Sequence, residues 1–283
     1  MRKLRRGDRM VMIAHRLFQE PHKVFTFGAF SEALSAARST ISEDVAALRQ
    51  VCDQFDFGRI ETLPGASGGV RYMPFLPPAR IQALTEDLAR RLRDSARILP
   101  GGFLYTTDLL SHPALVSRLG DIFATFFRDR RPNVVLSMEV KGIPLALMTA
   151  RAFNVPLVTI RRGGRVTEGP SVTVNYVSGS SRVVQAMTLP LRAVPQGARA
   201  LFIDDFLRGG GTARGVGDLM RECGAELVGI GVLIETAQPR DKLVDQYVSL
   251  LVFDGIDEAE GVVRLSPSPW AREQIRETSA EER

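Results

Sequence analysis

Ala200-Leu201-Phe202-Ile203-Asp204-Asp205-Phe206-Leu207-Arg208-Gly209-Gly210-Gly211-Thr212 passes from an apolar run to an acidic pair, then to a glycine loop and a helix start. Each part has a physical role. In an open parallel sheet, ligands bind beyond the carboxyl ends of the strands, so two carboxylates there can accept hydrogen bonds from the vicinal hydroxyls of a sugar. Glycines let main-chain N–H groups converge on a phosphate, and the following helix presents unpaired donors and the positive end of its dipole to the same anion. Thr212 can add a hydroxyl donor. No Gly-Lys-Ser/Thr follows, so this is not a Walker loop, and Arg214 stands where Gly-x-Gly-x-x-Gly needs its last glycine. A plain tight turn, with the aspartates merely capping the helix, leaves two adjacent carboxylates after a buried strand without a reason.

Strands alternating with helices surround this stretch, which predicts an α/β unit with a mostly parallel sheet covered on both faces. Strands are predicted at Val134 to Leu136, Val155 to Ile160, Ser171 to Val177, Ala200 to Ile203 and Leu227 to Ile234. Helices are predicted through Leu115, Leu119, Ile122 and Phe126, over Ile143 to Phe153, and over Thr212 to Cys223. The Glu- and Arg-rich tail after Pro269 reads as frayed.

Met73-Pro74-Phe75-Leu76-Pro77-Pro78 interrupts the pattern, because closely spaced prolines lack the donors to continue a strand or helix. The domain junction is placed there, giving a head over 1–74 and a larger unit over 75–283. Helical spacing in the head covers residues 9–20 and Phe27 to Leu34, and a third helix begins near Ser39. Thr40-Ile41-Ser42-Glu43 has the form of a capping box, with Ile41, Val45, Leu48 and Cys52 on one apolar face. Two extended runs follow, Arg59 to Leu63 and Val70 to Met73, joined by Pro64-Gly65-Ala66-Ser67-Gly68-Gly69. Three helices and a hairpin predict a winged helix-turn-helix. Beyond the prolines, Ile81, Leu84, Leu88 and Leu92 line a helix face suited to joining the two halves or to a dimer contact.

The 283 residues carry a formal net charge of +5, and the excess is uneven. Residues 1–74 hold 11 Lys and Arg against 8 Asp and Glu, whereas the rest hold 26 against 24. Arg2, Lys3, Arg5, Arg6, Arg9 and Arg16 face only Asp8 in the first sixteen residues, a density that suits a polyanion or else a solvated basic start. No run is apolar enough to span a bilayer or to act as a secretion signal, so the expected compartment is the cytoplasm, with no membrane partner. Cys52 and Cys223 show no metal-ligand spacing, and His15, His22 and His112 lie far apart without a His-Glu-x-x-His pattern, so no metal site is expected.

The acidic pair and glycine loop resemble the ribose-phosphate motif of type I phosphoribosyltransferases, in which the pair holds the ribose hydroxyls and the loop holds the 5′-phosphate. Glu139-Val140-Lys141-Gly142-Ile143-Pro144, following Val134 to Met138, is similar to that family's pyrophosphate loop, with Lys141, Gly142 and nearby N–H groups toward the diphosphate. Arg161-Arg162-Gly163-Gly164-Arg165 and Tyr176-Val177-Ser178-Gly179-Ser180-Ser181 stand in the place of its flexible loop, or form a charged hairpin with no ligand role.

With Ser39-Thr40-Ile41-Ser42-Glu43-Asp44, Pro64 to Val70, Ile98-Leu99-Pro100-Gly101-Gly102, Lys141 to Ala146, Val166-Thr167-Glu168-Gly169 and Asn175 to Ser181, nearly the whole chain resembles the purine operon repressors of Gram-positive bacteria. That resemblance implies a homodimer whose winged head binds operator DNA and whose phosphoribosyltransferase-like unit senses phosphoribosyl pyrophosphate (PRPP). It implies a PRPP effector set of Asp204, Asp205, Phe206, Arg208, Gly209, Gly210, Gly211, Thr212, Lys141 and Gly142. Phe103 and Tyr105 join it as candidates for stacking on a base, although packing into the core is the preferred reading for both.

For DNA, the head offers Lys3, Arg5, Arg6, Arg38, Arg59 and Arg71 for phosphates, and the turn of Arg38, Ser39, Thr40 and Ser42 for base edges. Several purine phosphoribosyltransferases carry an aspartate three residues after the acidic pair, near the purine N7; here that position is Arg208, which cannot accept a proton. The expectation is therefore binding without turnover, an active purine transferase being the alternative. Mg²⁺ is expected with the diphosphate, held mainly by ligand and water, and a related pyrophosphorylated nucleotide is a candidate competitor for the same loops.

Overall fold

A computed structural model of the chain describes residues 4–65, 68–163, 169–177 and 183–269. The chain divides into two compact units, Met1–Pro77 with Arg151–Asn154, and Pro78–Ala150 with Val155–Arg283.

The first unit holds α1 (Arg6–Gln19), α2 (Phe27–Leu34), α3 (Arg38–Phe55) and a hairpin of β1 (Arg59–Leu63) and β2 (Gly69–Met73). One core joins them: Ile13 and Leu17 from α1, Phe30 and Leu34 from α2, Ile41, Val45, Leu48 and Cys52 from α3, and Ile60 and Val70 from the hairpin. At the start of α1 the Asp8 carboxylate accepts the Arg5 N–H at 2.9 Å, satisfying one orphan donor. The capping box expected at Thr40 is not where α3 begins. Ser35 turns left-handed, Ala37 is the N-cap, and no side chain caps it. Thr40 therefore lies inside the first turn, because only Ser35, Ala36 and Ala37 separate α2 from the start of α3 at Arg38. Arg49 on α3 ties the hairpin down through the Ile60 carbonyl, at 2.9 Å, and the Thr62 hydroxyl. Ala66 and Ser67 at the expected hairpin tip lie outside the described residues.

In the second unit the order is α4 (Pro78–Leu92), β3 (Ile98–Leu99), β4 (Phe103–Leu104), α5 (Thr107–Leu110), α6 (Pro113–Phe127), β5 (Val134–Met138), α7 (Ile143–Phe153) and β6 (Leu157–Ile160). There follow β7 (Ser171–Val177), β8 (Val184–Pro190), β9 (Arg199–Leu207), α8 (Gly211–Glu222), β10 (Glu226–Thr236), β11 (Val248–Asp257) and β12 (Val262–Pro267). Six strands form one sheet in the order β12-β11-β10-β9-β5-β6; all neighbours are parallel except β11 with β12.

Both faces of this sheet are covered, as the doubly apolar strand β5 requires, being buried along its whole length. Ala200 and Phe202 of β9 join a core with Ala213, Val216, Leu219 and Met220 of α8. On β10, Gly229 and Gly231 leave room for Phe127 and Phe123 of α6: an added Cβ would meet those rings at 2.6 and 2.8 Å. Ile81, Leu88 and Leu92 of α4 are buried, and α4 packs along β11 and β12 of this unit. Arg93, just beyond it, donates to the Leu265 carbonyl at 2.6 Å.

One expected strand is misplaced. Ser171–Val177 is not part of the main sheet but pairs antiparallel with β8 in a separate hairpin, Ser171 opposite Pro190. Its positions alternate exposed and covered, which suits a hairpin with one wet face and not a strand buried on both. β8, β11 and β12 were not expected from the sequence. Gly164 to Glu168, Ser178 to Arg182 and the tail from Trp270 lie outside the described residues. Among the described residues no helix is long and apolar enough to cross a membrane.

Candidate functional site

The acidic pair and the glycine loop come together with Lys141 and Gly142 at the carboxyl end of the parallel sheet. β9 runs further than expected, to Leu207, so Asp204 and Asp205 belong to the strand itself. Gly210 is the N-cap of α8 at φ +81°, a left-handed conformation that glycine adopts without strain, and α8 begins at Gly211. Phe206, Arg208, Gly209, Gly210, Gly211 and Thr212 line a cavity of about 190 Å³, with Asp204 on its wall. Asp204, Asp205 and Thr212 also line a second cavity of about 440 Å³, whose other wall is Met138, Glu139, Val140 and Lys141. Asp204 and Thr212 therefore stand where the two hollows adjoin.

Close packing fixes the two loops against each other. A Cβ on Gly142 would lie 2.5 Å from Asp204 Oδ1, 2.8 Å from Ser137 Oγ and 3.0 Å from Asp204 Cα, so only glycine passes there. The Ser137 hydroxyl is fully buried at the end of β5 and has no partner among the described residues. Burial, and next the charge of Asp205, push the Asp204 carboxyl well above the usual carboxylate range. Asp205 is also raised by burial, opposed by a hydrogen bond from the Asp204 side chain and by the Lys141 charge. Asp204 Oδ1 in turn accepts the Asp205 N–H at 2.9 Å. Hydroxyl donors or a cation entering the cavity would favour the ionised form of the pair.

Across the larger cavity, Arg162 is a wall residue whose N–H donates to Glu139 Oε1 at 3.0 Å. Tyr176 of β7 lines the same space and donates its hydroxyl to Gln185 at 2.9 Å. Arg162 and Tyr176 thus come to the acidic pair from the two segments expected as a flexible loop; Gly164, Arg165 and Ser178 to Ser181 of those segments are not described. Phe206 is part-exposed and meets Phe253 of β11 edge to face, centroids 6.3 Å apart.

Phe103 and Tyr105 require a correction. Neither packs the core: they are 69% and 42% exposed, since the short β3–β4 hairpin sits at the rim of the unit with Gly101 and Gly102 at its turn. Neither lines the two cavities described above.

In the first unit, α2 and α3 form a helix-turn-helix, and Arg38, Ser39 and Ser42 are exposed on the first turn of α3, with Thr40 part-covered. Arg5 is exposed before α1, while Lys3 lies outside the described residues. Three basic residues expected to be free for phosphate contacts are already engaged. Arg6 stands 3.4 Å from the buried Asp44 carboxylate, which Arg9 grips at 2.7 and 3.3 Å. Arg71 holds Glu61 directly across the hairpin, at 2.8 and 3.0 Å, and Arg59 lies over the Phe75 ring at 3.7 Å. Sequence could not reveal these, because the partners are separated in the chain and set only by the fold; Arg9 and Asp44 are 35 positions apart.

Known proteins match both units. A family model described as the N-terminal part of the bacterial purine repressor covers residues 5–74, and a phosphoribosyl transferase domain covers residues 106–266. The purine biosynthesis transcriptional repressor PurR of Bacillus subtilis is 40% identical over 270 residues, 95% of each chain. The purine biosynthesis transcriptional activator PurR of Lactococcus lactis is 36% identical, over 90% of this chain and 94% of its own. A xanthine phosphoribosyltransferase of Deinococcus deserti is 35% identical over 53% of this chain and 80% of its own. Among solved structures, the adenine phosphoribosyltransferase of Saccharomyces cerevisiae is similar in fold, with a TM-score of 0.51 at 19% identity, over 59% of this chain and 97% of that one. From the match along nearly its whole length, this chain belongs to the PurR family of purine biosynthesis transcriptional regulators, a DNA-binding head carried with a phosphoribosyltransferase-type unit.

Proposed function

We propose that the chain is a repressor of purine metabolism genes whose second unit binds PRPP as an inducer and thereby lowers the affinity of the head for operator DNA. The observation that carries this reading is the pair of adjoining cavities sharing Asp204 and Thr212. A ligand with a phosphate at one end, a sugar in the middle and a diphosphate at the other matches their order. The 5-phosphate enters the smaller cavity, against the N–H groups of the glycine loop and the start of α8. The ribose hydroxyls donate to Asp204 and Asp205, and the diphosphate lies beside Lys141 in the larger cavity. Mg²⁺ would arrive on the diphosphate and keep most of its water.

The head binds DNA as one of two in a homodimer, Arg38, Ser39, Thr40 and Ser42 at base edges and exposed basic residues on phosphates. Arg6, Arg59 and Arg71 contribute less than their charge suggests, since Asp44, Phe75 and Glu61 occupy them. The resident role is binding without turnover, because Arg208 offers no base for proton transfer. The test is calorimetry with PRPP and Mg²⁺: the unaltered chain takes up PRPP, and the doubly neutralised Asp204→Asn, Asp205→Asn chain does not. Undiminished uptake by that variant would remove the reading.

A second reading, an active purine transferase with an accessory head, draws support from the similarity to a xanthine phosphoribosyltransferase over half the chain. Incubation with PRPP and each free purine base decides it, and release of a nucleotide would establish turnover.

A further inference from the structure

The glycine loop is held from behind by the segment that joins β10 to β11. The Lys242 ammonium group donates to the carbonyl oxygens of Arg208, at 2.6 Å, and Thr236, at 2.7 Å, and to the Thr236 hydroxyl at 3.2 Å. Those three acceptors match its three N–H bonds. One residue on, the Leu243 N–H donates to the Gly209 carbonyl at 3.0 Å. Thr236 is itself anchored, its hydroxyl donating to the Gln238 carbonyl at 2.6 Å. A Cβ on Gly210 would meet the Leu243 nitrogen at 3.1 Å, so the two segments lie in direct contact.

The consequence follows from peptide geometry. In a planar trans peptide the C=O and the N–H of one unit point in opposite directions. Drawing the Arg208 and Gly209 carbonyls back toward residues 242 and 243 turns the Gly209 and Gly210 N–H groups away from that segment, and both glycines line the smaller cavity. Among the described residues no acceptor meets either N–H.

We propose that Lys242, with the Leu243 N–H, is a positioning residue that aims the N–H donors of the glycine loop at the ligand's 5-phosphate before the ligand arrives. Lys242 acts through the Arg208 carbonyl and touches no ligand atom. Pre-aimed donors spare the ligand the ordering of a glycine-rich loop, which is otherwise the most mobile kind of chain, and loss of the strap returns that ordering to the binding step. This inference rests on the reading of the cavity as a PRPP site.

The experiment is calorimetric titration of the full-length chain and of Lys242→Met with PRPP and Mg²⁺, alongside operator binding without PRPP and thermal melting. The expected result is PRPP binding weakened about tenfold or more, as for the loss of aimed donors to a charged group, with operator affinity unchanged. Lys242→Arg, which keeps the charge and several donors but not the compact three-way geometry, is expected to fall between the two. Should Lys242→Met fail to fold, Lys242→Gln, with two donors on a shorter arm, takes its place under the same outcomes. Equal PRPP affinity in the unaltered chain and the variant would overturn the strap and leave the site standing. No PRPP uptake by the unaltered chain would instead remove the site and this inference with it.

Discussion

Gly142→Ala is the sharpest single-atom probe of the site. The added carbon would sit 2.5 Å from Asp204 Oδ1, 2.8 Å from Ser137 Oγ and 3.0 Å from Asp204 Cα. Two of those atoms belong to short side chains and the third is main chain in the sheet, so no flexible terminus can swing aside. Relief requires moving the start of α7, and with it Lys141, away from β9. Overpacking of this kind costs about 1–3 kcal/mol. At about 2–4 °C per kcal/mol for a unit of this size, the melting transition of the second unit should fall by about 2–12 °C. PRPP affinity should fall by about tenfold or more, because Lys141 and the acidic pair no longer face one another at their native spacing. Scanning calorimetry reads the first effect and titration calorimetry the second. Gly7→Ala in α1 is the control: nothing lies within 4 Å of its added carbon, and it should be neutral or stabilising by up to about 1 kcal/mol. A Gly142→Ala chain that melts with the parent and binds PRPP equally well would refute the claim that this contact sets the site.

Three further outcomes are expected. Asp204→Asn should raise the melting temperature at pH 7 while abolishing PRPP binding. A carboxyl whose folded pKa is raised contributes stability that is lost as pH climbs through that raised value, so removing the charge removes a penalty; a lowered melting temperature at pH 7 would contradict this. In the head, Arg38→Ala should weaken operator binding and reduce its salt dependence by about one unit of slope, with a smaller effect for Arg71→Ala, whose guanidinium already holds Glu61; anisotropy titrations over a salt series would expose equal effects. His22 has its imidazole held below the ordinary range by burial and then by Arg71, with Glu61 opposing. The folded head then binds fewer protons than the unfolded chain, so stability is full above about pH 6.5 and is lost on acidification. His22→Asn, which tolerates the left-handed backbone at φ +62°, should flatten the pH dependence of head unfolding below about pH 6.5; an unchanged profile would assign that dependence elsewhere.

The strand-to-loop-to-helix passage at 200–212 was legible because its chemistry is local: apolar strand, paired carboxylates, glycines and helix lie in one stretch of chain. The same holds for Lys141-Gly142 after β5, and for the helices of the head, whose apolar spacing is regular. Ser171 to Val177 was legible as a strand but not in its place, although its alternation of Val and Tyr with Ser, Thr and Asn already marks a one-sided hairpin. The start of α3 is hidden because a Ser/Thr-x-x-Glu pattern at Thr40 resembles a cap, while the N-cap, Ala37, has no polar side chain to announce itself. Lys242 carries no sequence signal at all. It lies in a turn-rich segment without periodicity, and only the fold brings it to a carbonyl 34 positions away. The engagement of Arg6, Arg59 and Arg71 is hidden for the same reason.

In the proposed function, PRPP in the second unit and DNA on the head oppose each other. The direct measurement is a fluorescence anisotropy titration of labelled upstream DNA of purine genes with the full chain, at fixed salt, with and without PRPP and Mg²⁺, paired with PRPP calorimetry in the presence and absence of the same duplex. Thermodynamic linkage predicts that PRPP weakens DNA binding and that DNA weakens PRPP binding by the same factor. Equal PRPP affinity with and without the duplex, or DNA affinity indifferent to saturating PRPP, would contradict it.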